Sequence, residues 1–315
     1  MAVTKIKTTD FTSALNASHR KLFDQAYYDE ATPQYTEVFK VITMGKPSET
    51  FVHLGGFGLP ESNVEGGTIN EDSMSEGDTA TLTAVRYDKG YRITYEMLKD
   101  DLQGVFGGAG MRGRAVVRNA PMQMGKAFRQ NEEVKAAYAL TNGFGDTGYD
   151  GVSTFSASHP LADNAATKSN LISGALSPAT VKEAIELVRT DTVDEANLIS
   201  VVRPKLLVVA PGSMFTAAEV LGSTLQSGEM SNTPNAIGDI RPFVWDFLTQ
   251  TGSTYAATNW FVVSHDVDNA LFGWNDKTWF DVEKQSGTVD YLAYGYQKFA
   301  AGIVNWRGLV GSTGA

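Results

Sequence analysis

The residue types of a hydrolase stand close together at Ser156-Ala157-Ser158-His159-Pro160, with Asp163 shortly after. A catalytic triad draws its nucleophile, base and orienting acid from separate elements, so neighbours in one short loop rarely form one. His159 beside a proline in a polar loop therefore reads as a turn residue, and a hydrolase centred on it is the rival reading from the enzyme class. Gly108-Ala109-Gly110-Met111-Arg112-Gly113 matches the GxGxxG pattern of dinucleotide sites. That chemistry needs a buried strand before the glycines and a helix after them, so that free N–H groups meet a pyrophosphate. The preceding MLKDDLQGVFG is helical or irregular in pattern and no βαβ unit surrounds it, which rejects the nucleotide site. The four histidines, His19, His53, His159 and His265, include no i, i+4 pair of the kind that binds metal from one helix face. Asp266-Val267-Asp268-Asn269 opens like a calcium loop but lacks the glycine and the closing glutamate. There is no cysteine in the 315 residues, so thiolate nucleophiles, disulfides, zinc–thiolate sites and iron–sulfur clusters are excluded. No catalytic set, cofactor site or metal site survives, and the reading is that of a protein that is not an enzyme.

Charge is more informative. The chain has 26 Lys+Arg against 36 Asp+Glu, a net charge of −10 that argues against a dedicated nucleic-acid binder. Gly55–Asp78 holds six acidic residues and no basic one: Glu61, Glu65, Glu71, Asp72, Glu76 and Asp78. Leu102–Gln130 holds five basic residues and no acidic one: Arg112, Arg114, Arg118, Lys126 and Arg129. Taken singly, each stretch is an ordinary solvated face. Aromatic residues crowd the C-terminal part, from Trp260 through Trp274 and Trp279 to Trp306. A stacking platform is one use of such rings, but a β-rich core is the commoner one. Trp306 is expected to anchor the closing strand, with Ile303 and Phe299 as neighbours.

The elements that would position these residues read as α+β. Phe11–Tyr28 patterns as a helix ended by Thr32-Pro33. Tyr35–Ile42 and Thr50–Leu54 have strand composition, as do Thr79–Tyr87 and Tyr91–Tyr95 on either side of an Asp88-Lys89-Gly90 turn. The long polar segment Gly55–Asp78 between strands makes an extended hairpin, improbable in a compact domain unless it acts outside that domain. Val117, Met124, Phe128 and Tyr138 fall near a helical period across an interrupted helix whose best part is Pro121–Thr141, with Pro121 kinking it or starting a new one. Ser177-Pro178 opens a second good helix with a capping side chain and proline in its first turn. Lys205–Ala210, Arg241–Leu248, Trp260–Ser264 and Tyr291–Trp306 read as strands, Ser213–Leu221 as a short helix and Gly222–Gly238 as a polar loop. MAVTKIKTTDFTSALN lacks the apolar core of a signal peptide and no apolar run reaches the ~18 residues that span a bilayer, so cytoplasmic synthesis is expected.

The order of parts resembles the major capsid protein fold of tailed phages, the Hong Kong 97 type that encapsulins share. Local stretches are similar to the Mu-like major head subunit family: Asp150-Gly151-Val152-Ser153-Thr154-Phe155 with Ser158-His159-Pro160, and Leu176-Ser177-Pro178-Ala179-Thr180. Arg203-Pro204-Lys205-Leu206-Leu207-Val208-Val209-Ala210-Pro211, Trp260-Phe261-Val262-Val263 and Asn305-Trp306-Arg307-Gly308-Leu309-Val310-Gly311-Ser312 continue it. The resemblance implies an N-terminal arm (1–43), an extended loop (44–90), a peripheral domain with a long spine helix (91–175), an axial domain (176–290) and a return to the peripheral domain (291–315). It implies a structural protein of the virion, made in the host cytoplasm, whose copies form hexamers and pentamers of an icosahedral shell around double-stranded DNA. Implied partners are itself, a separate scaffold protein, a portal, a decoration protein and DNA without sequence specificity, with no membrane. An encapsulin shell or another oligomeric phage protein such as a tail or baseplate component is the alternative. On this resemblance the acidic tip of one subunit would lie across the basic helix of the next; the basic stretch could instead face packaged DNA.

Overall fold

The computed structural model describes residues 12–29, 33–74, 76–94, 96, 116–161, 164–222, 235, 237–238, 240–250 and 257–314. The GxGxxG segment and most of the Gly222–Gly238 loop lie outside them. The chain divides into two compact units, one of Met1–Pro33, Ala84–Glu133 and Trp274–Phe299, the other of Gln34–Thr83, Val134–Gly273 and Ala300–Ala315.

In the first unit, helix α1 (Thr12–Asp29) packs on helix α2 (Val116–Thr141) and on a sheet. Gly125 marks the crossing: a Cβ there would sit 2.6 Å from the carbonyl oxygen of Phe23, so only glycine lets the backbones approach this closely. Phe23 stacks on Phe280 at 4.9 Å and meets Phe128 edge-on at 5.8 Å, and Met124, Val282, Tyr291 and Ala293 complete the core. Of the expected apolar face, Met124 and Phe128 are buried, whereas Tyr138 is 43% exposed. The ten residues from Phe128 to Tyr138 fall about 80° short of three full turns at about 100° per residue, which carries Tyr138 off the stripe. Pro121 neither ends nor restarts α2, which runs through it.

Strand β4 (Val85–Ile93) pairs antiparallel with β12 (Tyr291–Ile303) from Phe299↔Val85 to Tyr291↔Ile93. Asp88-Lys89-Gly90, expected to turn, stays extended because Tyr296, Gly295 and Tyr294 supply its partners. These strands belong to a four-stranded sheet in the order β1-β11-β12-β4, with β1 at Lys40–Thr43 and β11 at Ala270–Lys284. The first three residues of the expected strand Tyr35–Ile42 lie in a short 3₁₀ turn, Gln34–Glu37, and only its end, from Lys40, is strand, as β1.

The second unit is built on a five-stranded sheet, order β7-β13-β10-β8-β9. Its strands are β7 (Leu171–Ile172), β8 (Leu206–Val209), β9 (Arg241–Val244), β10 (Trp260–Val263) and β13 (Leu309–Ser312). β10 runs antiparallel to β8 and β13, while β8–β9 and β13–β7 are parallel. β8, β10 and β13 are buried at every residue, which is why their sequences are apolar runs and do not alternate. Helices α3 (Pro178–Thr190) and α4 (Met214–Gly222) cover the sheet through Val181, Ala184, Val188, Ala217 and Val220. The cap of α3 is as its sequence implies: Ser177 Oγ accepts the Thr180 N–H at 3.2 Å, and Thr180 Oγ1 accepts the Ser177 N–H at 3.0 Å. The closing segment 291–315 supplies strands to two sheets. Tyr291–Phe299 pairs with β4, and Leu309–Ser312 joins β10 and β7.

An antiparallel hairpin of β2 (Ser48–Leu54) and β3 (Glu76–Thr83) also belongs to the second unit, with residues 55–74 in its tip.

Candidate functional site

All six acidic residues of the hairpin segment are exposed. Two of them shape the tip. Asp72 accepts the N–H of Gly58 at 2.7 Å and of Ser73 at 2.8 Å, and these two donors hold its carboxyl below the usual range. Glu61 accepts from Asn70 Nδ2 at 2.9 Å. The tip is less polar than its composition implies. Leu54, Phe57, Leu59, Val64, Ile69 and Met74 are all more than half exposed. They stand singly among Gly, Asn and Ser, so no periodicity betrays them; their number in so exposed a segment is the signal the sequence reading missed.

The basic stretch divides. Arg112, Arg114 and the side chain of Arg118 lie outside the described residues. Lys126 is exposed on α2. Arg129 departs from the expectation of a subunit-facing or DNA-facing cation: it is buried, its Nη1 donates to Glu132 Oε2 at 2.8 Å, and its guanidinium lies 5.8 Å from the Tyr27 ring centre. The ring of Tyr27 on α1 and the Glu132 carboxylate one turn along α2 draw it inward. Glu132 Oε1 also accepts from Tyr27 Oη at 2.6 Å and Thr278 Oγ1 at 3.3 Å. Burial pushes the Glu132 carboxyl up to about 7, against the pull of Tyr27 and Arg129, and burial together with the neighbouring carboxylate raises the Tyr27 hydroxyl. The i, i+3 spacing of Arg129 and Glu132 was the visible clue.

His159 is not a turn residue. It opens a short strand, β5 (His159–Leu161), and is fully buried. Its Nδ1 lies 2.5 Å from Asp150 Oδ2, its Nε2 lies 2.9 Å from Asn170 Oδ1, and its ring stacks on Trp306 at 4.2 Å. Asn170 is oriented by donating Nδ2 to Thr154 O at 2.8 Å and accepting the Ser156 N–H at 2.8 Å. Both ring nitrogens are thus engaged by Asp150 and Asn170, and neither faces a serine hydroxyl. The arrangement ties the segments of Asp150, His159 and Asn170 together. Trp306 is 3% exposed, and the His159 ring, Leu161, Val193 and the Arg307 guanidinium pack around it. Phe299 packs with Tyr87 and Trp274.

The acidic turn at 266–269 is held by cations of the chain: Lys205 Nζ donates to Asp266 at 2.7 Å and Lys40 Nζ to Asp268 at 2.6 Å. The Lys205 and Arg203 hydrogen bonds lower the Asp266 carboxyl. Among the described residues no group of three His, Asp or Glu could hold a metal ion.

The charged side chains at Arg129, His159 and Arg307 are thus paired inside the chain, whereas the hairpin tip carries its apolar and acidic side chains exposed. The family described as phage capsid protein matches residues 78–312, so the chain belongs to that family and is a subunit of a capsid shell. Its fold is that of solved phage capsids. A chain from the mature capsid of bacteriophage PhiM1 is similar at a TM-score of 0.56 and 8% identity, over 87% of this chain and 84% of that one. The capsid of cyanophage P-SCSP1u gives 0.54 and 10%, over 87% and 85%. The capsid of bacteriophage JBD30, decorated with minor capsid protein trimers, gives 0.54 and 16%, over 69% and 91%. No curated protein matches the chain.

Proposed function

We propose that the chain is the major head subunit of a tailed phage, assembling into hexamers and pentamers that close an icosahedral shell around double-stranded DNA. The observation that carries this reading is the hairpin tip, in a chain whose family forms capsids. Residues such as Leu59, Val64 and Ile69 are 75–82% exposed, and their burial against another copy would remove apolar surface from water that this chain leaves uncovered. The acidic residues around them would set orientation and encounter with the basic stretch of the next subunit. One exposed pair contributes only ~0.2–1 kcal/mol, but a closed shell repeats the contact at every subunit.

In this reading residues 1–43 act as the arm, 44–90 as the extended loop, 91–175 as the peripheral domain with α2 as its spine, and 176–290 as the axial domain. Residues 291–315 return, with 309–312 tied to the sheet of β8 and β10. A separate scaffold protein, a portal and a decoration protein are the proposed further partners, with DNA contacted weakly by an acidic shell. The protein would be made in the host cytoplasm and end in the virion.

Expression of the full chain followed by sedimentation and negative-stain microscopy tests the proposal. Shells or ring-shaped capsomers are expected; a monomer or small compact oligomer under all salt conditions overturns it.

A further inference from the structure

The hairpin meets the rest of the second unit through a small set of side chains at its base. Along β2 only Glu49, Phe51 and His53 are half-buried, and the alternate residues face solvent. The pairing of β2 with β3 is regular from Ser48↔Thr83 to Val52↔Thr79, then shifts to Leu54↔Glu76. His53 therefore sits at a bulge, opposite Gly77 and Asp78. A bulge re-aims a side chain, and here it aims an imidazole. His53 Nε2 donates to the Val304 carbonyl oxygen at 2.9 Å, and the ring stacks on Tyr149 at 4.2 Å with 22° between planes.

Tyr149 is itself fixed. Its hydroxyl accepts from Arg307 Nη1 at 2.9 Å and reaches Asn305 Oδ1 at 3.4 Å. Arg307 donates Nη2 to Glu195 at 2.9 Å and Nε to the Val193 carbonyl, and lies over Trp306 at 4.9 Å. On the other strand, a Cβ at Gly77 would lie 2.9 Å from His53 O and 3.6 Å from Glu195 Cγ, so a glycine lets the hairpin seat against the same wall. Behind His53, Val304, Glu195 and Arg307 are buried and Tyr149 is half-buried; just beyond it Gly55 is buried and Gly56 lies against Asp194, and residues 57–74 are exposed.

We propose that His53 is the positioning residue that fixes the direction in which the β2–β3 hairpin leaves the second unit, with Tyr149 and Arg307 as its seat. Its consequence for assembly rests on the proposed role of the hairpin between subunits. A hairpin held at one angle presents its tip already oriented, whereas a freed one must be ordered during each contact.

The chain has no cysteine, so Ser62→Cys at the tip and Glu183→Cys on α3 accept two spin labels on the full, unassembled chain. Electron–electron distance measurement should give one narrow population for this parent. His53→Ala should abolish that single population, and His53→Phe, which keeps the ring against Tyr149, should retain part of it. If His53→Ala is insoluble, His53→Gln, which can donate to Val304 but cannot stack, replaces it with the same expectation. A parent distribution already broad, or variants as narrow as the parent, overturns the proposal; so does a lowered melting temperature with the distance unchanged, which marks a packing residue only. Particle formation by the same unlabelled variants separates the two readings. A loosened hairpin with normal particles supports the clamp and overturns the hairpin's role between subunits. An unchanged distance with impaired particles overturns the clamp and leaves that role standing.

Discussion

Replacing Trp306 with alanine tests the central packing argument. The side chain is 3% exposed, with the His159 ring stacked on it at 4.2 Å and the Arg307 guanidinium 4.9 Å from its centre. A buried tryptophan removes roughly 150–250 Å² from water, worth about 4–6 kcal/mol at about 25 cal/mol per Å². Partial collapse of the site returns some of this, and large aromatic truncations cost about 3–5 kcal/mol in practice. His159 would keep Asp150 and Asn170 but lose its stacking partner, so little polar rearrangement can compensate. At about 2–4 °C per kcal/mol for a unit of this size, the unassembled subunit should melt roughly 6–20 °C lower. Circular dichroism on dilute, unassembled protein reads this without interference from particles. Trp306→Phe should lose about half as much, because a ring still faces His159. A soluble alanine variant that melts with the parent would refute the reasoning and assign the burial no weight in stability. Unchanged melting with lost particles would move Trp306 to an interface.

Glu132 carries a pH prediction. Its carboxyl is raised from an ordinary 4.5 to about 7 by burial, so the folded chain holds this proton more tightly than the unfolded one. The stabilisation is complete below about pH 4.5 and is lost as pH rises through 7, amounting to about 3 kcal/mol at about 1.4 kcal/mol per unit. Denaturation midpoints between pH 5 and 8 should fall, and Glu132→Gln should flatten the profile; a flat profile in the parent would discard the idea. Arg129→Ala should destabilise by about 1–3 kcal/mol, since it removes a buried donor from Glu132 and the cation beside the Tyr27 ring and Glu132 can answer only by holding its proton, while the exposed Lys126→Ala should change the melting curve little. Equal effects of the two would show that Arg129 is not the structural one. For the tip, Glu65→Lys with Glu71→Lys should impair particle formation at low salt, and Arg112→Glu with Arg114→Glu in the same chain should partly restore it. Asp72 is spared because its two backbone bonds shape the tip. Normal assembly of the acidic-tip variant would show that charge does not join the subunits.

Local chemistry made several elements legible in advance. Ser177, Pro178 and Thr180 specify the start of α3 within four residues, because capping and a fixed proline φ act over one turn. KLLVVA and WFVV read as buried strands because residues covered on both faces leave no alternation, and the acidic run between two strand-like segments marked the hairpin. Burial is a different matter, since it depends on what arrives from elsewhere in the chain. Asp88-Lys89-Gly90 has turn composition, yet stays extended because Tyr294–Tyr296, some two hundred positions on, hydrogen-bond to it. Arg129 and Lys126 look alike in sequence. Only the first meets Glu132 and the Tyr27 ring, which α1 brings across α2 at Gly125. His159 resembled a loop histidine until Asp150, Asn170 and Trp306, from three separate segments, closed around it. The sequence alone determined which residues could cap, turn, alternate and carry charge, because those preferences act over a few bonds. Which of them are covered and which stay free for another subunit was decided only by the tertiary structure, because a side chain's surroundings are set by partners that no local pattern encodes.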